Sequence, residues 1–260
     1  MTVVASSDFE VICEVEPATR PEIMHVRHQI GVMSRVASAF LIPDNHIGRA
    51  TVSSIAVAHE VALMGGRPIA CLNARDRNIL GFRRDLLTAA AYGVDEFLFV
   101  YGDRPETGAR SDDLTVRSML AEARQFSERQ AAARPLRLGV TSRLVPLPGW
   151  KREADFLFAQ VGFSIGELLE WRASVDFAGP LYAGVLVVAS APMARKLSTE
   201  IPELAVPEPI ISELERDRNA GVDIACDLIQ EIRESRAFDG VHLIPVSRYR
   251  EVAARLEHLL

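Results

Sequence analysis

The chain of 260 residues is poor in several things at once. Its three cysteines, Cys13, Cys71 and Cys226, are far apart and form no CxxC pair. That spacing indicates neither a zinc site nor a disulfide framework, and it fits a reduced, cytoplasmic compartment. There is no excess of positive charge. The formal net charge is -6 and no block of basic residues stands out, so no nucleic-acid surface is expected. No apolar run reaches about 18 residues, the length a membrane-spanning helix needs. The start, MTVVASSDFEV, has neither the basic opening nor the apolar stretch of a secretory leader. No GxGxxG follows a predicted strand, and there is no P-loop signature, internal repeat, low-complexity tract or linker. What remains is an apolar fraction of 48%, with 7% aromatic, which describes one ordinary globular domain over residues 1–260.

Against these absences stands a regular alternation. Nearly continuous apolar, β-branched runs predict strands at Val11–Val15, Ala37–Ile42, Pro68–Asn73, Phe97–Val100, Arg137–Thr141, Phe156–Gln160, Leu181–Val187 and Val241–Val246. Strands buried on both faces read this way. Three-to-four spacing predicts helices at Glu22–Ser34, Val52–Met64, Leu80–Tyr92, Asp113–Gln130, Ile165–Ser174, Ala220–Arg236 and Arg248–Leu259. Gly93 and Gly240, just before strands, read as helix-stop residues. Eight strands with interleaved helices point to a (β/α)8 barrel, with a doubly wound open sheet as the alternative. One unit is short. Between the fifth and sixth strands, Ser142–Asp155 contains Pro146, Pro148 and Gly149, which leave a reduced or missing helix. The stretch from the seventh strand to Ala220 carries no assigned element.

In such a barrel the C-terminal strand ends share one mouth, and three motifs put polar groups there. CEVEP (Cys13–Pro17) carries Glu14 within an apolar run. Desolvation raises the pKa of such a carboxyl and suits it to general acid work. A strand-end carboxylate paired with Arg20 or another basic residue is the plainer alternative, and Glu16, two residues on, faces the same side. In VYGDRP, Gly102 lets the chain turn and Asp103 follows. Its carboxylate can accept from a heterocycle's N–H groups, or simply cap the turn. FAQ ends in Gln160, which has both donor and acceptor atoms for an amide-like ring edge. ARDRN surrounds Asp76 with Arg75 and Arg77, a loop brace or a contact to phosphate or carboxylate. Asp44, Asn45 and His46 follow the second strand and sit at another mouth position. His25 and His28 lie three apart on one helix with no third ligand nearby, which reads as a solvated face. His242 reads as a satisfied histidine of the last strand. Tyr101 and Trp150 can stack on a flat ring or pack in core and rim.

These motifs, in this order, resemble the methylenetetrahydrofolate reductase family from Val11 to about Tyr249. The shared features are Glu14 to Pro17 after the first strand, Gly102-Asp103-x-Pro105 after the fourth, Gln160 ending the sixth, ARDRN, and the closing GVHLIPVSR with Arg248. The resemblance implies a (β/α)8 barrel that reduces 5,10-methylenetetrahydrofolate to 5-methyltetrahydrofolate. It implies Glu14 as the acid that protonates the folate nitrogen, opening the five-membered ring to an electrophilic methylene-iminium. Asp103 would hold the pterin edge and the developing charge. Gln160 and Arg248 would bind substrate; Asp44 and Asn45, by their place at the mouth, are further substrate-binding candidates, and Asn73, Arg75 and Tyr101 are the candidates to face the cofactor. The departures from the family are specific. The helix that helps hold FAD is missing, Cys71 stands near the position of a strand-three histidine, and SDDLTVR lacks the tyrosine that follows the Gly-Asp turn. The chain thus resembles the flavin-free branch, with NADH or NADPH as hydride donor. FAD is doubtful and a deazaflavin donor is possible. The implied role is one-carbon metabolism, with methyl supply for methionine biosynthesis.

Overall fold

The computed structural model describes residues 9–130, 135–201 and 204–259. The first eight residues, part of the MTVVASSDFEV start that does not read as a secretory leader, lie outside them. Eight parallel strands close into a barrel in chain order, β1-β2-β3-β4-β5-β6-β7-β8, with β1 paired to β8. They are β1 Glu10–Glu14, β2 Ala39–Ile42, β3 Pro68–Asn73, β4 Glu96–Val100, β5 Arg137–Ser142, β6 Phe156–Val161, β7 Leu181–Leu186 and β8 Gly240–Ile244. All eight predicted strands form, with ends shifted by a residue or two. The last stops short because Pro245 has no N–H to give and Val246 turns to φ 50°. The helices are α1 Met24–Met33, α2 Ser54–Leu63, α3 Ile79–Ala91, α4 Val116–Gln130, α5 Ile165–Ser174, α6 Ala191–Glu200, α7 Glu208–Arg216, α8 Ala220–Ser235 and α9 Tyr249–Leu256.

The continuous apolar runs are explained by two separate cores. Outward residues such as Val11, Cys13, Phe40, Ala70, Val140 and Leu243 pack under the helices. Inward residues Ile12, Leu41, Ile69, Cys71, Leu98, Phe156, Phe158 and Tyr182 fill the barrel. Below them the floor is ionic. Glu10, Arg67, Glu96 and Arg137 stand at or just before strand starts. Arg67 Nη2 meets Glu10 Oε1 at 2.5 Å, and Glu96 takes Arg137 Nη1 at 2.9 Å and Arg67 Nη1 at 3.3 Å. The Tyr182 hydroxyl donates to Glu10 Oε2 at 2.5 Å. Burial pushes the Tyr182 phenol upward, and its bond to Glu10 adds to the shift.

Between β5 and β6 there is no helix, only a short 3-10 turn, Gly149–Glu153. Leu144, Leu147 and Trp150 pack on the outer core in its place, and Trp171 of α5 ties the segment down by donating to Val145 O at 3.0 Å. The stretch left unassigned after β7 holds α6 and α7. Both carry a proline in the first turn, where the missing N–H costs nothing, and Ser190 caps α6 by accepting from Met193 N–H. They build a satellite core of Ala191, Ala194, Val206, Ile211 and Leu214 beside the end of β7. Gly93 does end α3 with φ 70°, but Gly240 is no helix stop. It begins β8, where a Cβ would stand 2.1 Å from Glu10 O.

Candidate functional site

The alternation that fills the barrel also decides what reaches its mouth. On β1, Glu10 and Ile12 face inward, so Glu14 does too, at the C-terminal end. On β8, His242 lies across from Ile12 in register. The two side chains meet: His242 Nε2 is 3.2 Å from Glu14 Oε2, with 11% and 15% of the side chains exposed. The His242 ring rests on Phe158, centroids 5.0 Å apart and planes tilted by 33°. Glu14 therefore meets a basic partner, as the plainer reading allowed, but on the last strand rather than at Arg20, and His242 is the satisfied histidine the sequence suggested, with Glu14 as the partner that satisfies it. Glu16 is exposed, and its N–H donates to Gln29 Oε1 at 3.2 Å.

Cys71, inward on β3, stays a neutral thiol. Burial raises its pKa well above the ordinary range, and the charges of Asp44 and Glu14 push the same way. The same causes make it an unsuitable nucleophile.

The ends of β2 and β3 carry a closed polar lattice. Asp44 Oδ2 accepts from Asn73 N–H at 2.9 Å, from Asn73 Nδ2 at 2.8 Å and from Arg77 Nη1. Asp76 Oδ2 accepts from Asn73 Nδ2 and from Asn45 Nδ2, both at 2.9 Å. Arg77 continues to Asp85 at 2.8 Å; burial opposes its charge, but Asp44 and Asp85 more than offset that. The brace reading of ARDRN is thus what Asp76 and Arg77 do. Asp44, Asn45 and Asn73 stand at the mouth with these atoms committed to one another.

Arg75 is different. It donates through Nη2 to Gly102 O and lies over the Tyr101 ring at 5.2 Å, yet its Nε and Nη1 are buried without a partner. Charged donors seldom remain so in a finished interior. Tyr101, 46% exposed, meets Arg110 Nη1 at 3.4 Å. Gly102 turns at φ 95°, against Asn73, where a Cβ would stand 2.8 Å from the asparagine Cβ. Asp103 then crosses to the neighbouring loop and accepts from Ile47 N–H through Oδ2 at 2.9 Å.

Gln160 stands near the end of β6, two residues beyond the inward-facing Phe158. A register shift between Phe158 and Val161 bulges the strand there, and Gly184 on β7 accommodates it: a Cβ would meet Ala159 O at 2.7 Å. Bulges re-aim side chains at strand ends. Arg248 stands farther out, at the start of α9, tied to Glu251 at 3.0 Å and to Arg218 O at 3.4 Å. His25 and His28 lie edge-on against Tyr249, and among the described residues no cluster of three metal-ligating side chains occurs. Nor, among those residues, is any helix long and apolar enough to cross a membrane.

Glu14, His242, Gln160, Arg75 and Asp103 stand on five different strands or on the loops that follow them, and among them the Glu14–His242 contact, between residues 228 apart, is the one that sequence reasoning did not foresee. No family model matches the chain, and no curated protein matches it in sequence. Solved structures do match in fold. A protein of uncharacterised function from Clostridium thermocellum that binds two copies of 5-methyl-5,6,7,8-tetrahydrofolic acid aligns over 97% of this chain and 96% of its own, at 13% identity and a TM-score of 0.64. A tryptophan synthase α-subunit from Pyrococcus furiosus aligns over 96% and 97%, at 12% identity and a TM-score of 0.53. A Rhizomucor miehei β-1,3-glucanosyltransferase aligns over 92% and 88%, at 10% identity and a TM-score of 0.53. At these identities the likeness is one of fold, and the fold is the (β/α)8 barrel.

Proposed function

We propose that the chain binds a reduced folate in the barrel mouth and reduces 5,10-methylenetetrahydrofolate to 5-methyltetrahydrofolate, with NADH or NADPH as donor. The observation that carries this reading is the sheltered Glu14–His242 pair at the mouth. The fold likeness to a barrel that binds 5-methyltetrahydrofolate supports it. Glu14 delivers a proton to the folate nitrogen, the carbon–nitrogen bond of the five-membered ring breaks, and the methylene-iminium is left to accept hydride. His242 holds the Glu14 carboxyl in place and returns a proton to it between turnovers. Asp103 has Oδ1 left for the pterin N–H edge, and Gln160 matches the amide-like part of the ring. Arg75 offers Nε and Nη1 to an anionic group of the donor or the folate tail. The nicotinamide donor supplies the hydride when bound.

The β5–β6 segment supports a reading without resident flavin. A five-residue turn offers no long helix whose N-terminus would hold a pyrophosphate. Of its two basic residues, Lys151 is turned inward, with Nζ donating to Thr141 O at 2.7 Å and burial lowering the pKa of that amine, while Arg152 faces Asp176 at 3.5 Å. The test is an absorbance spectrum of the purified protein, followed by anaerobic addition of NADH, then NADPH, with and without methylenetetrahydrofolate. Colourless protein that oxidises the nicotinamide only when folate is present is the expected result. A flavin spectrum that bleaches with NADH would overturn the direct transfer. No oxidation with either donor would overturn the nicotinamide-dependent assignment and turn the test to a deazaflavin donor.

A further inference from the structure

Strain is concentrated at the mouth. Two β-branched residues adopt left-handed backbone, Ile47 at φ 51° and Val246 at φ 50°. They stand on the loops leaving β2 and β8, the two strands that pair with β1. A β-branched side chain crowds its own backbone in that region, so the conformation persists only where its surroundings over-determine it.

For Ile47 the restraints are explicit. Its N–H donates to Asp103 Oδ2 at 2.9 Å. The next residue, Gly48, lies so close beneath the segment after β4 that a Cβ would stand 2.0 Å from Arg104 O. Glu106 N–H donates to Gly48 O at 3.0 Å, and Arg49 pairs with Glu106 at 2.5 Å. What these contacts hold is an isoleucine left 51% exposed. Packing does not account for it. Glycine or asparagine would adopt this backbone at less cost, and the same loop uses both kinds, at Gly48 and Asn45.

We infer that Ile47 is a substrate-contacting residue, presented at the mouth rim to pack on the face of a flat heteroaromatic ring, and that Asp103 is its positioning residue. The inference rests on the folate reading, which supplies a pterin as that ring. A pterin has a polar edge and two apolar faces. Asp103 Oδ1 and Gln160 suit the edge, and Ile47 supplies an aliphatic surface for a face.

The test measures Tm and the Kd for 5-methyltetrahydrofolate on the full chain and on I47N, I47L, D103N and D103A. I47N removes both the strain and the apolar surface. It should melt about 2–4 °C higher and bind about tenfold more weakly. I47L keeps apolar bulk without the branch at Cβ, and its affinity should fall less than about threefold. D103N retains an acceptor for the Ile47 N–H and should melt within about 1 °C of the parent, whereas D103A should melt about 2–4 °C lower. An I47N protein that melts no higher than the parent, or that binds with the parent's Kd, overturns the inference. So does a D103A protein that melts with the parent. A parent chain that binds no 5-methyltetrahydrofolate overturns the folate reading and this inference together, so the two failures have different signatures.

Discussion

The two ends of this barrel use the same kinds of residue to opposite effect. At the floor, Glu10, Arg67, Glu96 and Arg137 meet in a network in which every carboxylate has an arginine partner, and the Tyr182 hydroxyl meets Glu10 as well. At the mouth, Arg75 keeps two buried nitrogens unpartnered, Asp103 props a strained residue, and the Glu14 carboxylate has His242 as its one hydrogen-bond partner among the described residues. Buried charge is costly unless it is fully paired. The floor satisfies its charges internally, as a structural plug does. The mouth leaves polar capacity unused, as a site awaiting a ligand does. Position in the barrel agrees: the C-terminal face carries chemistry and the opposite face carries stability.

Substitutions that separate activity from stability sharpen this contrast. The largest effect is expected from E14Q. Turnover should fall about 10²–10⁴-fold with Tm little changed, because the amide fills the same space but carries no proton to give. H242Q should lower turnover less and shift its pH profile, since it alters the support of the acid rather than the acid itself. Turnover of E14Q equal to the parent's would place the chemistry elsewhere. At the floor the order reverses. E96A leaves Arg137 without its carboxylate and Arg67 with one partner fewer. It should cost about 3 kcal/mol of stability, read from denaturant unfolding, while activity per folded molecule holds. If E96A abolished activity without destabilising the protein, the division into plug and site would fail.

The smallest effect tests pH. The Tyr182 phenol is raised in the folded state, by burial first and then by Glu10. Above about pH 10, the ordinary phenol value, the unfolded chain loses a proton that the folded one keeps. Stability should therefore fall as pH rises through that point. Y182F should start about 1 kcal/mol less stable at neutral pH, from the lost hydrogen bond, and should lack that part of the alkaline decline. Parallel stability curves for Y182F and the parent above pH 10 would show that Tyr182 is not the group responsible.

Much of the fold was legible because each strand is buried on both faces, which leaves long apolar runs such as PIACLN and FLFAQV. The short β5–β6 crossover was legible from Pro146 and Pro148, which a helix interior does not tolerate, and from Gly149, which weakens one. The helices α6 and α7 were not: each is short and opens on a proline, Pro192 or Pro209, a residue that local sequence can place equally at a helix start or in a turn. At the site, Glu14, Asp103 and Gln160 stood out as polar residues at apolar strand ends. The contact of Glu14 with His242, the Asp44–Asn73–Arg77 lattice and the strain at Ile47 did not. Each depends on which strands become neighbours and on backbone geometry that no local spacing encodes.

The joining of β1 to β8 also puts the site on a schedule. Glu14 and His242 are separated by 228 residues, and neither β-strand can present its half until the ring of strands has closed. At synthesis rates of about 5–20 residues per second, about 10–45 s pass between the appearance of the two side chains. During that interval a growing chain carries its acid without the histidine that supports it. If the pair carries the proposed chemistry, fragments truncated before β8 should be silent however well their remaining strands pair.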